Sequence, residues 1–410
     1  MTADVNKFWT TSGRVDDFEY EMISTNDFSR RIGHLTGVTS GKLTFGYDTD
    51  LKVSGSLEVS STKLIDDCVI KIHYKPRLSD GQTRDIVLGT FFAYADKMKF
   101  DKGRYSGTVE LVSALARYTD DVLQGNFTIG KNKTYKNELK RLLKKEAAGG
   151  RYKFGSNVSD KKNKSAKTFE RNKSVMEPIQ AIADGLGARV DVDTSGVMIF
   201  EKYFAPSKKT CTLRLPSGQY SVTMPGVEIE TGKSEMPNRV VYYCDISWKQ
   251  REYVKDKKGN KVKYKSGKNK GKYKTKKVNK KKSIAGKAQV ASSSPVHYSK
   301  KGRWVTQIFS YNKKLGSKSI NTTAKLNAKF AEIKKEAQSK AARKLSSLTS
   351  GKKKYVIECF YLPVTCGQVV EFEYIASGIK LHVQAMITTI ELDLNVGAKM
   401  KLTLRHVRNI

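Results

Sequence analysis

The sequence predicts a mainly β protein with a small α/β insertion and one long helix late in the chain. Three observations predict it. Short alternating strands fill residues 36–115. A second group of alternating strands fills residues 354–408. Between them, MEPIQAIADGLGARVDVDTSGVMIFEK (176–202) reads as a helix, a glycine stop and a hairpin. Alternation with period two marks half-buried strands, and apolar spacings of three and four mark one face of a helix.

In the first β region, LTFGY, KVSGSLEV, CVIKIHY, IVLGTFFAY and YSGTVELVSA are rich in β-branched and aromatic residues and are separated by Gly, Asp and Ser turns. That pattern reads as a small barrel or sandwich. ALARYTDDVL reads as a short helix closing it. In KNELKRLLKKEA (136–147), Leu139, Leu142 and Leu143 share one side, and Gly149-Gly150 would stop the helix. NVSDKKNKSAKTFERNKS (157–174) is polar and unperiodic and reads as a surface loop. Val175, Ile179, Ile182 and Leu186 follow spacings of 4, 3 and 4, with Gly187 at the left-handed cap position. RVDV and VMIF then flank a turn at Asp193-Thr-Ser-Gly196.

From Cys211 the strands CTLRLP, YSVTMP, VEIETG and NRVVYYCDISW follow. The last runs into KQREYVKDKKGNKVKYKSGKNKGKYKTKKVNKKK, a low-complexity tract read as a long mobile hairpin or a disordered loop, since it offers little apolar surface to offset ordering. A hairpin tip fits at Lys258-Gly-Asn260. Residues 322–348 then place Leu326, Phe330, Ile333, Ala337, Ala341, Leu345 and Leu348 in one stripe, with Thr322 or Thr323 as cap and Ser350-Gly351 as stop. YVIECFYLP, QVVEFEY, IKLHVQAMITTIELDL and KMKLTLRHV complete the second β region. The expected domains are 1–118, 119–205 and 206–410, the last carrying a Lys-rich insertion at 249–298 and the helix at 322–348.

The net charge is +37 in 410 residues, and three segments hold it. Residues 131–173 have 15 basic and 4 acidic side chains, residues 249–282 have 17 and 2, and residues 299–354 have 16 and 2. The rest is near neutral, so this is a neutral scaffold bearing basic segments that attract polyanions without sequence preference. The opening MTADVNKFWTTSGRVDD has no secretory pattern, and no stretch reaches the roughly 18 to 20 apolar residues of a membrane span. Five scattered cysteines without a CxxC pair read as reduced thiols in a cytosol rather than a zinc ribbon.

No catalytic constellation stands out, and no cofactor or metal site is expected. The histidines (His34, His73, His297, His382, His406) share no helical spacing, and no nucleophile elbow, HExxH, Walker or dinucleotide motif occurs. Asp191 and Asp193 could hold a cation or act as acid and base, but they flank a turn, where Asp is a common turn former. Asp66-Asp67 and Asp120-Asp121 read the same way. The polyanion or channel contact expected here lies in Lys257, Lys258, Lys261, Lys263, Lys265, Lys268, Lys270, Lys272, Lys274, Lys276, Lys277, Lys280, Lys281 and Lys282. Such a run is solvated, meets a partner protein, or meets nucleic acid, where Tyr253, Tyr264, Tyr273 and Tyr298 could stack on bases.

Three stretches carry a family resemblance. GLGARVDVDTSGVMIFEK resembles the LADALGARLYVDRDGRLVF texture of phage tail hub proteins. LPVTCGQVVEFEY (362–374) is similar to their P-x-L-x-P-G-D-V-V element, with Cys366-Gly367-Gln368 in place of Pro-Gly-Asp. ITTIELDLNVGAKMKLTLRHV resembles their closing V-x-S-V-x-x-D-L-S-P-G-x-M-x-L-x-x-R. The chain thus resembles the baseplate hub or tail-associated proteins of tailed phages and contractile injection systems, most clearly over 174–203 and 322–408.

The resemblance implies two tail-tube-like β-barrel domains, so that a homotrimer would present six barrels to a six-fold tail tube or distal tail ring protein. The helix-hairpin insertion would thicken the ring. The implied role is a structural virion protein, assembled in the host cytoplasm and placed at the tail tip. It would gate passage of the tape measure protein and DNA, next to a tip or receptor-binding protein. A fibre or lytic domain, common in relatives, would then sit on another polypeptide. Two rivals remain: a nucleic-acid binding protein acting through its lysine-rich segments, and an enzyme such as a tail peptidase, for which no grouping of carboxylates or Ser and His is visible.

Overall fold

The computed structural model describes residues 14–25, 28, 30–62, 68–78, 81–146, 151–203, 211–215, 223–231, 236–294, 296–316, 322–349, 353–376 and 379–409. Contacts divide the chain into two compact units, Met1–Glu230 with Lys354–Ile410, and Thr231–Lys353.

The first unit begins with eight strands: β1 (Phe18–Ile23), β2 (Arg31–His34), β3 (Val38–Gly46), β4 (Val53–Ser61), β5 (Cys68–Tyr74), β6 (Ile86–Tyr94), β7 (Met98–Asp101) and β8 (Arg104–Ser113). The one-turn helix α1 (Ala116–Thr119) follows. The α/β module holds β9 (Phe127–Ile129), α2 (Tyr135–Glu146), β10 (Tyr152–Phe154), β11 (Lys167–Phe169), α3 (Met176–Leu186), β12 (Ala188–Val192) and β13 (Met198–Lys202). The expected apolar faces are the ones that pack: Leu139, Leu142 and Leu143 of α2 and Ile179, Ile182 and Leu186 of α3 are buried in one cluster. Gly187 closes α3 at φ 69°, a left-handed conformation that a side chain would disfavour. The hairpin forms as read, with Val192 opposite Met198.

Residues 157–174 are more than a loop. β11 pairs with β9, and Val158, Asn163 and Phe169 are buried. Three-residue strands show too little alternation to be seen in a sequence. What the pairing displays instead is an internal repeat with an offset of 40 residues. Thr128 faces Thr168 at its centre, and their hydroxyls are 2.9 Å apart. Val122 bridges Ser174 as Thr134 bridges Lys162. The Leu123 amide donates to the Lys173 carbonyl as the Asn163 amide donates to that of Lys133. Asn132 and Asn172 both take positive φ, 62° and 66°. Each half is a strand, an asparagine turn and a helix, and the halves meet about a local two-fold.

After β14 (Cys211–Leu215) and β15 (Glu228–Glu230), the chain enters the second unit: β16 (Arg239–Tyr253), β17 (Thr275–Gln289), α4 (Tyr298–Lys301), β18 (Thr306–Leu315) and α5 (Thr323–Thr349). The sheet order is β17-β16-β18, antiparallel to β17 and parallel to β18. The Thr322 hydroxyl caps α5 by accepting from the Lys325 amide at 3.2 Å. The predicted stripe buries Ile333, Ala337, Ala341 and Leu345. Ile333, Ala341 and Leu345 pack with Val240, Cys244, Ile246 and Trp248, which share one face of β16. This burial holds the base of the β16–β17 hairpin, and of the two states read for the lysine tract the structure has the hairpin. β18 was not read from the sequence, because its alternation lies inside a strongly basic segment.

Glu336 on α5 receives the Lys313 ammonium of β18 at 2.5 Å and that of Lys340 at 3.1 Å. Lys313 and then Lys340 hold its carboxyl down to about 2, against an ordinary 4.5. A carboxyl lowered by folding stabilises above its unfolded value, and that contribution fades as pH falls from about 4.5 towards about 2. Denaturation midpoints across this window should therefore fall less steeply in Glu336→Gln than in the wild type. Identical slopes would show that these pairs contribute nothing measurable.

The last four strands return to the first unit: β19 (Lys354–Phe360), β20 (Val369–Ala376), β21 (Ile379–Asp393) and β22 (Lys399–Asn409). Both predicted β regions are present, and they join edge to edge. β21 pairs with β3 from Thr389↔Gly46 to Asp393↔Lys42. The resulting 14-stranded sheet runs β15-β19-β22-β21-β3-β4-β8-β6-β5-β1-β2, with β7, β14 and β20 off this path. One buried cluster takes Leu43, Leu57, Ile70 and Phe91 from the first region and Ile357, Phe372 and Leu402 from the second. The strand read at YSVTMP, the stops at Gly149-Gly150 and Ser350-Gly351, and Asp66-Asp67 lie wholly or partly outside the described residues. Thr223 of the first of these bridges Cys359.

Candidate functional site

The basic tract is built as a ribbon. β16 and β17 pair over fifteen positions, from Arg239↔Gln289 to Tyr253↔Thr275, about 50 Å at 3.4 Å per residue. Beyond them residues 254–274 fold back on themselves. The Val254 amide donates to Lys274 at 2.9 Å, and the Val262 amide donates to Val254 at 2.9 Å. The tip expected at Lys258-Gly-Asn260 is a turn: one Asp256 carboxylate oxygen accepts from the Lys258 and Asn260 amides at 2.9 and 2.8 Å.

The fourteen lysines do not form one cluster. Nine of them, Lys257 to Lys274, lie in the folded-back end. There Lys261 sits 4.4 Å over the ring of Tyr253 and 5.6 Å over that of Tyr273, while Lys274 sits 5.3 Å over Tyr264. Lys276, Lys280 and Lys282 lie on the α5 side of β17. Of these, Lys280 reaches Glu252 at 2.5 Å and Lys282 lies 4.5 Å over Phe330. Lys277 and Lys281 point to the opposite face, since successive strand residues alternate. Both acids of the tract are engaged, Glu252 by Lys280 and Asp256 in its turn. Lys249 and Arg251 of β16 belong with this ribbon too. They were not among the fourteen, although their alternate spacing on the strand could have placed them.

The first unit holds a cavity of about 860 Å³, lined among others by Tyr47, Lys52, Thr90, Arg189, Asp193 and Cys366. Arg189 stacks 4.5 Å from the Tyr47 ring and pairs with Asp191. The Lys52 ammonium donates to the Tyr47 carbonyl at 3.0 Å. Burial, and then the charge of Arg189, lower the Lys52 pKa. Burial pushes the Cys366 thiol up to about 12, so it is a thiol and not a nucleophilic thiolate at neutral pH.

Asp191 and Asp193 have structural partners. Asp191 faces Arg189, and Asp193 accepts from the Ser195 and Val197 amides at 3.0 and 2.8 Å and from Lys153 at 2.6 Å. Asp121 likewise accepts from the Val122 amide. His34 and His73 flank β1, where His34 meets Glu19 and His73 meets Glu21 and Asp85, while His382 meets Glu371 and His297 contacts Ser299. His406 lies 3.4 Å from the Tyr355 hydroxyl. Among the described residues no three of His, Cys, Asp and Glu group as a metal site, and no helix is long and apolar enough to cross a membrane. None of the five cysteines is in a disulfide.

No family model and no curated protein matches the sequence. Solved structures do. The tail protein from Neisseria meningitidis MC58 is similar with a TM-score of 0.56 and 10% identity, over 95% of this chain and 96% of that one. The 43 kDa tail protein of prophage MuSo2 from Shewanella oneidensis is similar with a TM-score of 0.53 and 12% identity, over 96% and 98%. At such identity the likeness is one of fold, and over nearly all of its length this chain has the fold of a phage tail protein.

Proposed function

We propose that the chain is a structural component of a phage tail, and within it the hub ring at the distal end. Three copies would join a six-fold tube to a three-fold tip and gate passage of the tape measure protein and DNA. The observation that carries this reading is the two-way coverage of the fold likeness, 95% or more on both chains for two tail proteins. In this reading the two β regions of the first unit, joined through β21 and β3, would each supply one of the faces that a trimer presents to a six-fold tube. Such a ring would have closed cyclic symmetry and large obligate interfaces, above roughly 2,000 Å². Negative-stain averages of the purified chain should show three-fold rings with a central opening. Single compact particles at every concentration would count against the ring.

A second reading, non-specific nucleic-acid binding through the lysine-rich segments, is favoured by one observation: the ribbon of residues 249–282 sets 17 basic against 2 acidic side chains, and both acids are engaged.

A further inference from the structure

The two faces of the β16–β17 ribbon treat their charge differently. On the α5 face, Lys276 stands opposite Glu252, Lys280 bonds that same carboxylate, and Lys282 lies over Phe330. On the opposite face, Lys249, Arg251, Lys277 and Lys281 are all exposed, with no ion pair among the described residues. Their rows are consecutive: Ser247↔Lys281, Lys249↔Asn279, Arg251↔Lys277. Rows on one face lie about 7 Å apart and opposed side chains about 5 Å. Four cations thus fall within about 14 Å along the ribbon. Arg251 is directly opposite Lys277, a pairing that costs stability when nothing neutralises it. The nearest carboxylate on that face, Asp245, stands one row beyond Lys281.

We infer that this open face, around Lys249, Arg251, Lys277 and Lys281, is a docking surface for the phosphate backbone of duplex DNA. The inference rests on the second reading above and gives it a place. Phosphate charge complements an unneutralised cation row, and the spacing lets each side chain meet a separate phosphate. Base stacking is disfavoured, because the tyrosines at this end already have partners. Tyr253 packs edge-on to Tyr273 at 5.6 Å and lies under Lys261, and Tyr264 lies under Lys274. An acidic protein partner would want an apolar centre to its contact, and these three rows offer none.

The test uses the full chain and a 30-base-pair duplex of random sequence, with affinity measured across a salt series. Each phosphate contact contributes about 0.9 to the slope of log affinity against log salt. The open-face variant K249T/R251T/K277T/K281T should lose about 3 to 4 units of that slope and bind about tenfold or more weakly near 0.15 M salt. Removing the same charge from the turns (K257T/K258T/K268T/K270T) or three charges from α5 (K334T/K335T/R343T) should change the slope by less than one contact. With no DNA present, the open-face variant should melt no lower than the wild type, because it relieves like-charge repulsion. If it fails to fold, the two half-variants K249T/R251T and K277T/K281T should each lose about 1.8 units of slope, half of that loss.

If the wild type binds no duplex, both the second reading and this inference fall. Wild-type binding with equal losses from all three sets would leave the reading and overturn the face. Preference for single strands over duplex, or equal competition by polyglutamate charge for charge, would also overturn it.

Discussion

Replacing Asp16 with alanine should destabilise the first unit by about 3–5 kcal/mol, the cost typical of removing one partner of a buried ion pair. The Arg14 guanidinium lies 3.0 Å from the Asp16 carboxylate, and their side chains are only 3% and 4% exposed. The Tyr74 hydroxyl, on a fully buried ring, donates to the same carboxylate. Without Asp16, Arg14 keeps its charge inside the protein with a distant Tyr361 carbonyl at 3.5 Å and the Phe360 ring as neighbours. Tyr74 loses its acceptor at the same time. Asp16→Asn keeps an acceptor but not the charge and should fall between wild type and alanine. Denaturant midpoints at constant slope measure the effect. An alanine variant within about 0.5 kcal/mol of wild type, the range of ordinary surface changes, would show that the cluster is not a buried pair in solution.

Gly286→Ala should loosen the second unit by about 2–3 kcal/mol, the upper part of the range for overpacking. Gly286 lies on β17 opposite Tyr242, facing α5. A Cβ there would come 2.2 Å from the Ala337 carbonyl carbon and 2.2 Å from the Gln338 nitrogen. Those are helix backbone atoms, so no rotamer change relieves the contact and α5 must move off the sheet. Ala285→Ser, on the other face, should cost little. Amide exchange along α5 reads the difference: protection should drop in Gly286→Ala and persist in Ala285→Ser. Equal protection in both would mean that α5 is held elsewhere.

The sequence made the long elements legible and the short ones not. The α5 stripe was visible because seven turns of apolar spacing exceed the noise of any one position, and Ile333, Ala337, Ala341 and Leu345 are buried as read. Gly187 could be placed as a cap because few residues tolerate its backbone. β9 and β11 were hidden because each has three residues. So was the 40-residue repeat, whose halves share geometry more than identity: Leu139 and Leu142 in one, Ile179 and Ile182 in the other. β1 (FEYEMI) alternates at Phe18, Tyr20 and Met22 and was legible with period two, whereas β2 (RIGH) was not, because four residues with one apolar side chain show no alternation. For the candidate site, charge content was plain from composition, but its division between two faces was not. That division depends on strand register, and register is fixed by apolar residues at a distance, such as Cys244 opposite Ile284.

The central claim, a tail component that closes into a three-fold ring, is tested most directly by the mass of the purified chain in solution. Light scattering at low and high salt should give about three times the 46.0 kDa of one chain, unchanged by salt, because an obligate interface rests on buried apolar area that salt does not screen. A single-chain mass at every salt and at every concentration up to that of the assembled particle would contradict the ring.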